Sequence, residues 1–250
     1  MSNARNLADA ETRFVNASGD TVSGNLVVDG NVGVGTSTIQ NASSGRGNIT
    51  LGGTSSAIFN LSVNSTNSGS IYHSGTEMWF HNRANGPALF FTNDTERMRI
   101  DSAGRVTMPY QPSFCFWMSA SAGSAENPTT QGSPVVFNSA GAGGGSHNIG
   151  NHYNTSTGFF TAPVDGVYFF NLHWIPNSGT NTAEHNYRFM YNGQKITDGR
   201  ASNYAVSSGH NVINIYMYAS DTINVTKDDS SGIAIYPNSP YSWFSGCLLG

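Results

Sequence analysis

The sequence predicts an all-β chain, a glycine-rich fibrous β shaft followed by a jelly-roll β-sandwich. Three observations lead there. Only 10% of the 250 residues are charged, against about 25% in ordinary soluble domains, and Gly, Ser, Asn and Thr fill the difference. These residues favour turns and caps over helix interiors. Up to about residue 110 the apolar residues come in short runs closed by Gly or Asn. After Pro112 the runs lengthen and turn aromatic, beginning with Phe114-Cys-Phe-Trp117.

Residues 1–13 are polar and form the only stretch of helical character, read as an attachment segment. Met1 to Ala10 contains no apolar core of a secretory signal. Work outside a cell would then begin by another route, such as lysis.

Residues 14–110 hold short strand candidates: Asn25–Gly30, Asn31–Gly35, Gly47–Gly52, Ala57–Val63, Met98–Asp101 and Arg105–Met108. Such strands bury too little to stand alone and are expected to gain partners from identical copies. Two phrases, Val22-Ser-Gly-Asn-Leu-Val-Val-Asp-Gly-Asn-Val-Gly-Val-Gly-Thr36 and Glu96-Arg-Met-Arg-Ile-Asp-Ser-Ala-Gly-Arg-Val106, resemble the shafts of bacteriophage tail fibres and related virion appendages. The opening Met1-Ser-Asn-Ala-Arg-Asn-Leu-Ala-Asp9 is similar to starts seen in phage structural proteins. The resemblance implies a homotrimer on a virion.

Residues 112–250 form the second module. Gly166–Trp174, Val212–Tyr218, Thr222–Val225 and Ser242–Leu249 read as strands with apolar side chains on both faces, so both faces need cover. One face packs in the sandwich, and a subunit interface would cover the other. Tyr187–Ile196 reads as a hairpin turning at Asn192-Gly193. Asn148, Tyr153, Phe160, Gly166, Tyr168 and Phe170 stand at the spacings of the C1q-family signature, and the module resembles the globular C1q/TNF-like domain. Leu172 replaces the final aromatic, and Ala142 stands where a leading Phe belongs. Phe137 is the substitute, set off by the glycine-rich stretch Gly141–Gly145. The resemblance implies a ten-stranded jelly roll, a homotrimer around a three-fold axis, and binding rather than catalysis.

Net charge is −4 with 11 basic residues and no basic run, which excludes nucleic acid as a partner. No apolar stretch nears the roughly 20 residues of a membrane helix, which excludes membrane insertion. Catalytic motifs are missing: Gly33-Val-Gly35 has Thr38 in place of a third glycine, and no GxSxG or HExxH occurs. The carboxylates Glu126, Asp165, Glu184, Asp198 and Asp221 fall in separate turns, so glycan cleavage, which needs two acids within about 5–10 Å, is the least favoured reading. No cofactor is expected. Asp221, Asp228 and Asp229 are candidate calcium ligands. His147 and His152 flank the signature and are candidates to meet at a trimer axis. Cys115 and Cys247 read as buried thiols, able to bridge only if their strands are neighbours.

Tyr204, Tyr236 and Tyr241 lie in or beside polar loops and are the recognition candidates, because tyrosine offers a flat apolar face with a polar tip. The expected function is a homotrimeric virion fibre or appendage. Its first residues would bind other tail, neck or capsid proteins, and its head a host-surface glycan or protein. The alternative is a purely structural head that drives trimerisation or decorates the particle.

Overall fold

A computed structural model describes residues 32–34, 49–51, 54–63, 66–141, 144–177, 185–201, 208–237 and 241–250. The expected attachment segment 1–13, Glu184 and Tyr204 lie outside the described residues. Every regular element among the described residues is a strand. The chain divides into two compact units, Met1–Ala88 and Leu89–Gly250.

In the first unit β1 (Val32–Val34) and β2 (Ile49–Leu51) pair in parallel. β3 (Ala57–Val63), β4 (Thr66–His73) and β5 (Met78–Asn82) form an antiparallel sheet. Its register aligns Phe59, Ile71 and Phe80 in one row and Ile58, Tyr72 and Trp79 in the next. Successive rows point to opposite faces, so both faces carry large apolar groups. Phe59, Phe80, Ile58 and Trp79 are all exposed.

β6 (Ala88–Thr92), β7 (Thr95–Ile100) and β8 (Val106–Thr107) make a second three-stranded sheet. The Asp101–Arg105 turn is tied by its own side chain. Asp101 Oδ1 accepts the Ala103 and Arg105 N–H groups at 2.9 and 3.0 Å, and its Oδ2 takes the Arg105 Nε–H at 2.7 Å.

The sandwich follows. Its first sheet is ordered β11 (His147–Ile149), β9 (Ser113–Trp117), β19 (Trp243–Leu248), β13 (Gly166–Trp174) and β17 (Gly209–Met217). The second centres on β18 (Thr222–Lys227), which pairs with β10 (Pro134–Val135), β12 (Phe159–Thr161) and β14 (His185–Tyr191). β14 pairs in turn with β15 (Gln194–Lys195) and β16 (Gly199–Ala201). All these pairings are antiparallel, and the two sheets face each other across an aromatic core, the jelly-roll arrangement.

The signature residues build that core. Phe114, Tyr153, Phe160, Tyr168, Phe170, Phe189 and Phe244 are buried together. Tyr153 stacks on Phe114 with ring centres 4.5 Å apart, and its hydroxyl accepts the Phe137 N–H at 3.1 Å. Phe137 itself is buried against Phe244. Asn148 closes the turn before Tyr153: its Nδ2–H donates to the Tyr153 carbonyl at 2.7 Å and its Oδ1 accepts the Tyr153 N–H at 3.2 Å. Phe160 meets Phe170 edge-on at 5.4 Å. Tyr168 donates its hydroxyl to the Val164 carbonyl at 2.9 Å. Gly166 is required by close approach, since a Cβ there would lie 2.7 Å from Leu248 Cδ1. Leu172, in the place of the expected aromatic, is fully buried. The Asn192-Gly193 turn has both φ angles positive, 47° and 77°, as a type I′ hairpin demands.

Candidate recognition surface

Strand directions sort the connections of the sandwich to two ends. At one end the chain enters: the Leu248 N–H donates to the Pro112 carbonyl at 3.0 Å, and Gly250 accepts from Val167 at 2.8 Å. The links from β9 to β10, β13 to β14, β16 to β17 and β18 to β19 all belong to the opposite, distal end.

The distal loops are held by buried polar ties. Asn127 is fully buried. Its Nδ2–H donates to Ala120 O at 3.0 Å and Ile235 O at 2.7 Å, and its Oδ1 accepts the Ile235 N–H at 3.0 Å. The Tyr236 N–H donates to Ile175 O at 2.7 Å. Ser242 Oγ, also buried, accepts the Ile175 N–H at 3.1 Å. These bonds present two of the expected tyrosines side by side. Tyr236 and Tyr241 meet edge-to-face with ring centres 5.4 Å apart, and Tyr241 is 47% exposed. The aromatic count in the loop is legible in sequence. The contact is not, because it needs both loop ties.

A polar network lies beneath the same end. Lys227 is 0% exposed. Its Nζ donates to Asp229 Oδ1 at 2.8 Å and Ser231 Oγ at 3.2 Å and lies 5.3 Å from the Tyr187 ring centre. Asp229 Oδ2 accepts the Asn186 N–H at 2.6 Å. Burial opposes ionisation of Asp229. The Asn186 N–H, the Lys227 ammonium and the Ser231 hydroxyl and N–H overcome it and hold the carboxyl below the usual carboxylate range. Asp228 pairs with Arg188, and with Lys195 at 3.1 Å.

The expected calcium ligands therefore do not converge. Asp228 and Asp229 are taken up by cations. Asp221 lies at the other end of the six-residue β18, about 20 Å away at 3.3 Å per residue. There it accepts from the Tyr191 hydroxyl, the Asn192 Nδ2–H and the Tyr218 N–H. Calcium wants six to eight oxygens on one ion, and these three carboxylates do not supply them. Among the described residues no group of three or more His, Cys, Asp or Glu is placed to hold a metal.

The carboxylates weighed for glycan cleavage are also turn residues. Asp165 Oδ1 accepts the Ala219 N–H at 2.8 Å, and Asp198 pairs with Lys195. Hydrogen bonds lower the pKa of Asp198 and Asp221, whereas a general acid needs its pKa raised. Glu126 lies in the distal link from β9 to β10, remote from Asp165 and Asp221 at the entry end.

The five-stranded sheet turns its second face outward. Val167, Val212, Tyr216 and Leu249 there are exposed, Tyr216 by 52%. Cys115 and Cys247 sit on neighbouring strands of this face, but Cys115 opposes Ser245 and Cys247 opposes Ser113. Diagonal neighbours are about 7–8 Å apart, too far for a bridge without backbone movement, and both thiols are free. His147 pairs with Cys115 on β11. His152 packs edge-on to Phe160, so the two histidines do not meet within one chain.

This two-sheet antiparallel jelly roll is the architecture of C1q-type domains. Residues 116–249 match the model of the C1q domain, more than half of the chain, and the chain belongs to that family. It is similar to mouse complement C1q tumor necrosis factor-related protein 7, 31% identical over 121 residues. That stretch is 46% of this chain and 38% of the relative, so the chain spans well under half of the mouse protein. Among solved structures it is similar to the globular domain of zebrafish complement 1qA protein, at TM-score 0.43 and 16% identity over 56% of this chain and 98% of that one. Rabbit GITRL aligns at TM-score 0.30 and 14% identity, over 38% of this chain and 73% of that one.

Proposed function

We propose that the chain is a homotrimeric fibre or appendage protein of a bacteriophage virion, whose C1q domain is the recognition head. The observation that carries the reading is the outward face of the five-stranded sheet. Val167, Val212, Tyr216 and Leu249 lie exposed on a face with no Asp, Glu, Lys or Arg in its strands. Neighbouring exposed apolar side chains of this kind mark an interaction surface, and C1q and TNF-like domains form trimers. Residues 14–110 form the trimeric shaft in this reading. Its β3–β5 sheet, apolar and exposed on both faces, gains cover from the other copies. Residues 1–13 attach it to tail, neck or capsid proteins.

The distal loops of the head then bind a host-surface glycan or protein through Tyr236 and Tyr241. Three modest sites per fibre, and several fibres per particle, add by avidity. The test is adsorption of particles lacking residues 112–250 against intact ones. The proposal expects loss of adsorption with particle assembly retained. Normal adsorption overturns it, and a failure of the fibre to trimerise supports a structural head instead.

A further inference from the structure

On the outward face of the five-stranded sheet, one register position pairs two histidines. His173 of β13 stands directly opposite His210 of β17. Their ring centres are 4.3 Å apart. His173 is 9% exposed and its ring stacks on Trp243 at 4.2 Å and 21°, which fixes its orientation. Its Nδ1 lies 2.8 Å from the Tyr241 carbonyl oxygen. A carbonyl can only accept, so Nδ1 carries the proton and Nε2 keeps a free lone pair. His210 is exposed in the single chain.

We propose that His173 and His210 form a two-imidazole site for a divalent late transition-metal ion of the zinc and copper class. Imidazole nitrogen suits these ions, while calcium and magnesium want oxygen. At nitrogen–metal bonds of about 2.0–2.1 Å, ring centres 4.3 Å apart are within the span that one ion bridges. The Tyr241 carbonyl plays the part of the outer-shell acceptor that orients most metal-binding histidines. The β9, β19, β13 and β17 strands bring no carboxylate or ammonium to this face, so nothing there competes as a salt-bridge partner. Among the described residues of one chain no third protein ligand stands beside the pair. A bound ion clasps β13 to the edge strand β17 at the distal end, beside the Tyr241 loop.

The test uses the full-length chain without a histidine tag, titrated calorimetrically with zinc chloride alone in metal-free buffer at pH 7.5. One zinc per chain at roughly micromolar affinity is expected, with His210→Gln and His173→Gln each weakening it at least tenfold. His147→Gln and His152→Gln leave it unchanged. Copper(II) electron paramagnetic resonance should show two imidazole nitrogens in the native chain and one in His210→Gln. His210 is exposed, so its substitution spares the fold even if His173→Gln does not. Unchanged zinc affinity in His210→Gln, or no saturable binding below millimolar zinc, overturns the proposal. Both ligands belong to one chain, but they lie on the face proposed for association. The same zinc titration on the Val212→Glu/Tyr216→Glu chain, expected to run as a single copy, separates metal binding from trimerisation. Loss of binding in that chain also overturns the proposal.

Discussion

Asp229→Ala should be among the most damaging single changes outside the aromatic core. It leaves the Lys227 ammonium, 0% exposed, without its counter-charge at 2.8 Å. Two unit charges about 3 Å apart attract by roughly 5–6 kcal/mol at an effective dielectric near 20. That attraction is what offsets the cost of taking the ammonium out of water. Ser231 Oγ at 3.2 Å and the Tyr187 ring at 5.3 Å remain, and each returns about 1 kcal/mol. The net loss is then about 3–5 kcal/mol, the usual cost of orphaning one member of a buried pair. In a domain of this size that lowers Tm by roughly 10 °C. Differential scanning calorimetry and urea titration, at fixed protein concentration because association shifts both, measure it. Lys227→Met combined with Asp229→Ala should recover a large part of the loss. Recovery will be incomplete, because Asp229 also accepts the Asn186 and Ser231 N–H groups. A single mutant within about 1 kcal/mol of the native chain would refute the reasoning.

Three further outcomes follow from the same geometry. Phe160→Ala removes a fully buried ring from the centre of the aromatic cluster and should cost about 3–5 kcal/mol by chemical denaturation. Tyr236→Ala and Tyr241→Ala should weaken host-surface binding several-fold while leaving Tm within a few degrees of native, since both rings sit on the rim. The Asp221 and Asp229 carboxyls have folded-state pKa values below their unfolded values. Their contribution is therefore present above about pH 4 and lost as pH falls through the lowered folded values. Stability measured from pH 6 down to pH 2 should fall across that acid window, and Asp221→Asn should flatten part of the fall.

The sandwich was legible where local chemistry and tertiary packing agree. β13 is legible as an aromatic and β-branched run because Tyr168, Phe170, Leu172 and Trp174 on its inner face fill the core. Asn192-Gly193 announces its turn because almost no other pair tolerates two positive φ angles. Asn148, Tyr153 and Phe160 stand at recognisable spacings because turn closure and ring stacking fix them. β4 was not legible: Thr66-Asn-Ser-Gly-Ser has no apolar alternation, and only pairing with β3 and β5 makes it a strand. β10 has two residues and exists only as a partner of β18.

The site was less legible because it depends on which residues the strands keep apart or bring together. Asp221 and Asp228–Asp229 look like one acidic cluster in the chain, but an extended strand between them sends them to opposite ends. Lys227 is fully buried under the distal loops, which its place at the end of β18 does not announce. His173 and His210 are far apart in sequence, and only the β13–β17 register sets them face to face.

Association of copies through the uncharged outward face of the five-stranded sheet is read from the mass of the full chain in solution, by light scattering coupled to size-exclusion chromatography. A chain of 26.6 kDa should run as a particle of about 80 kDa, and Val212→Glu with Tyr216→Glu should reduce it toward a single chain. A stable 26.6 kDa species at micromolar concentration would contradict the account.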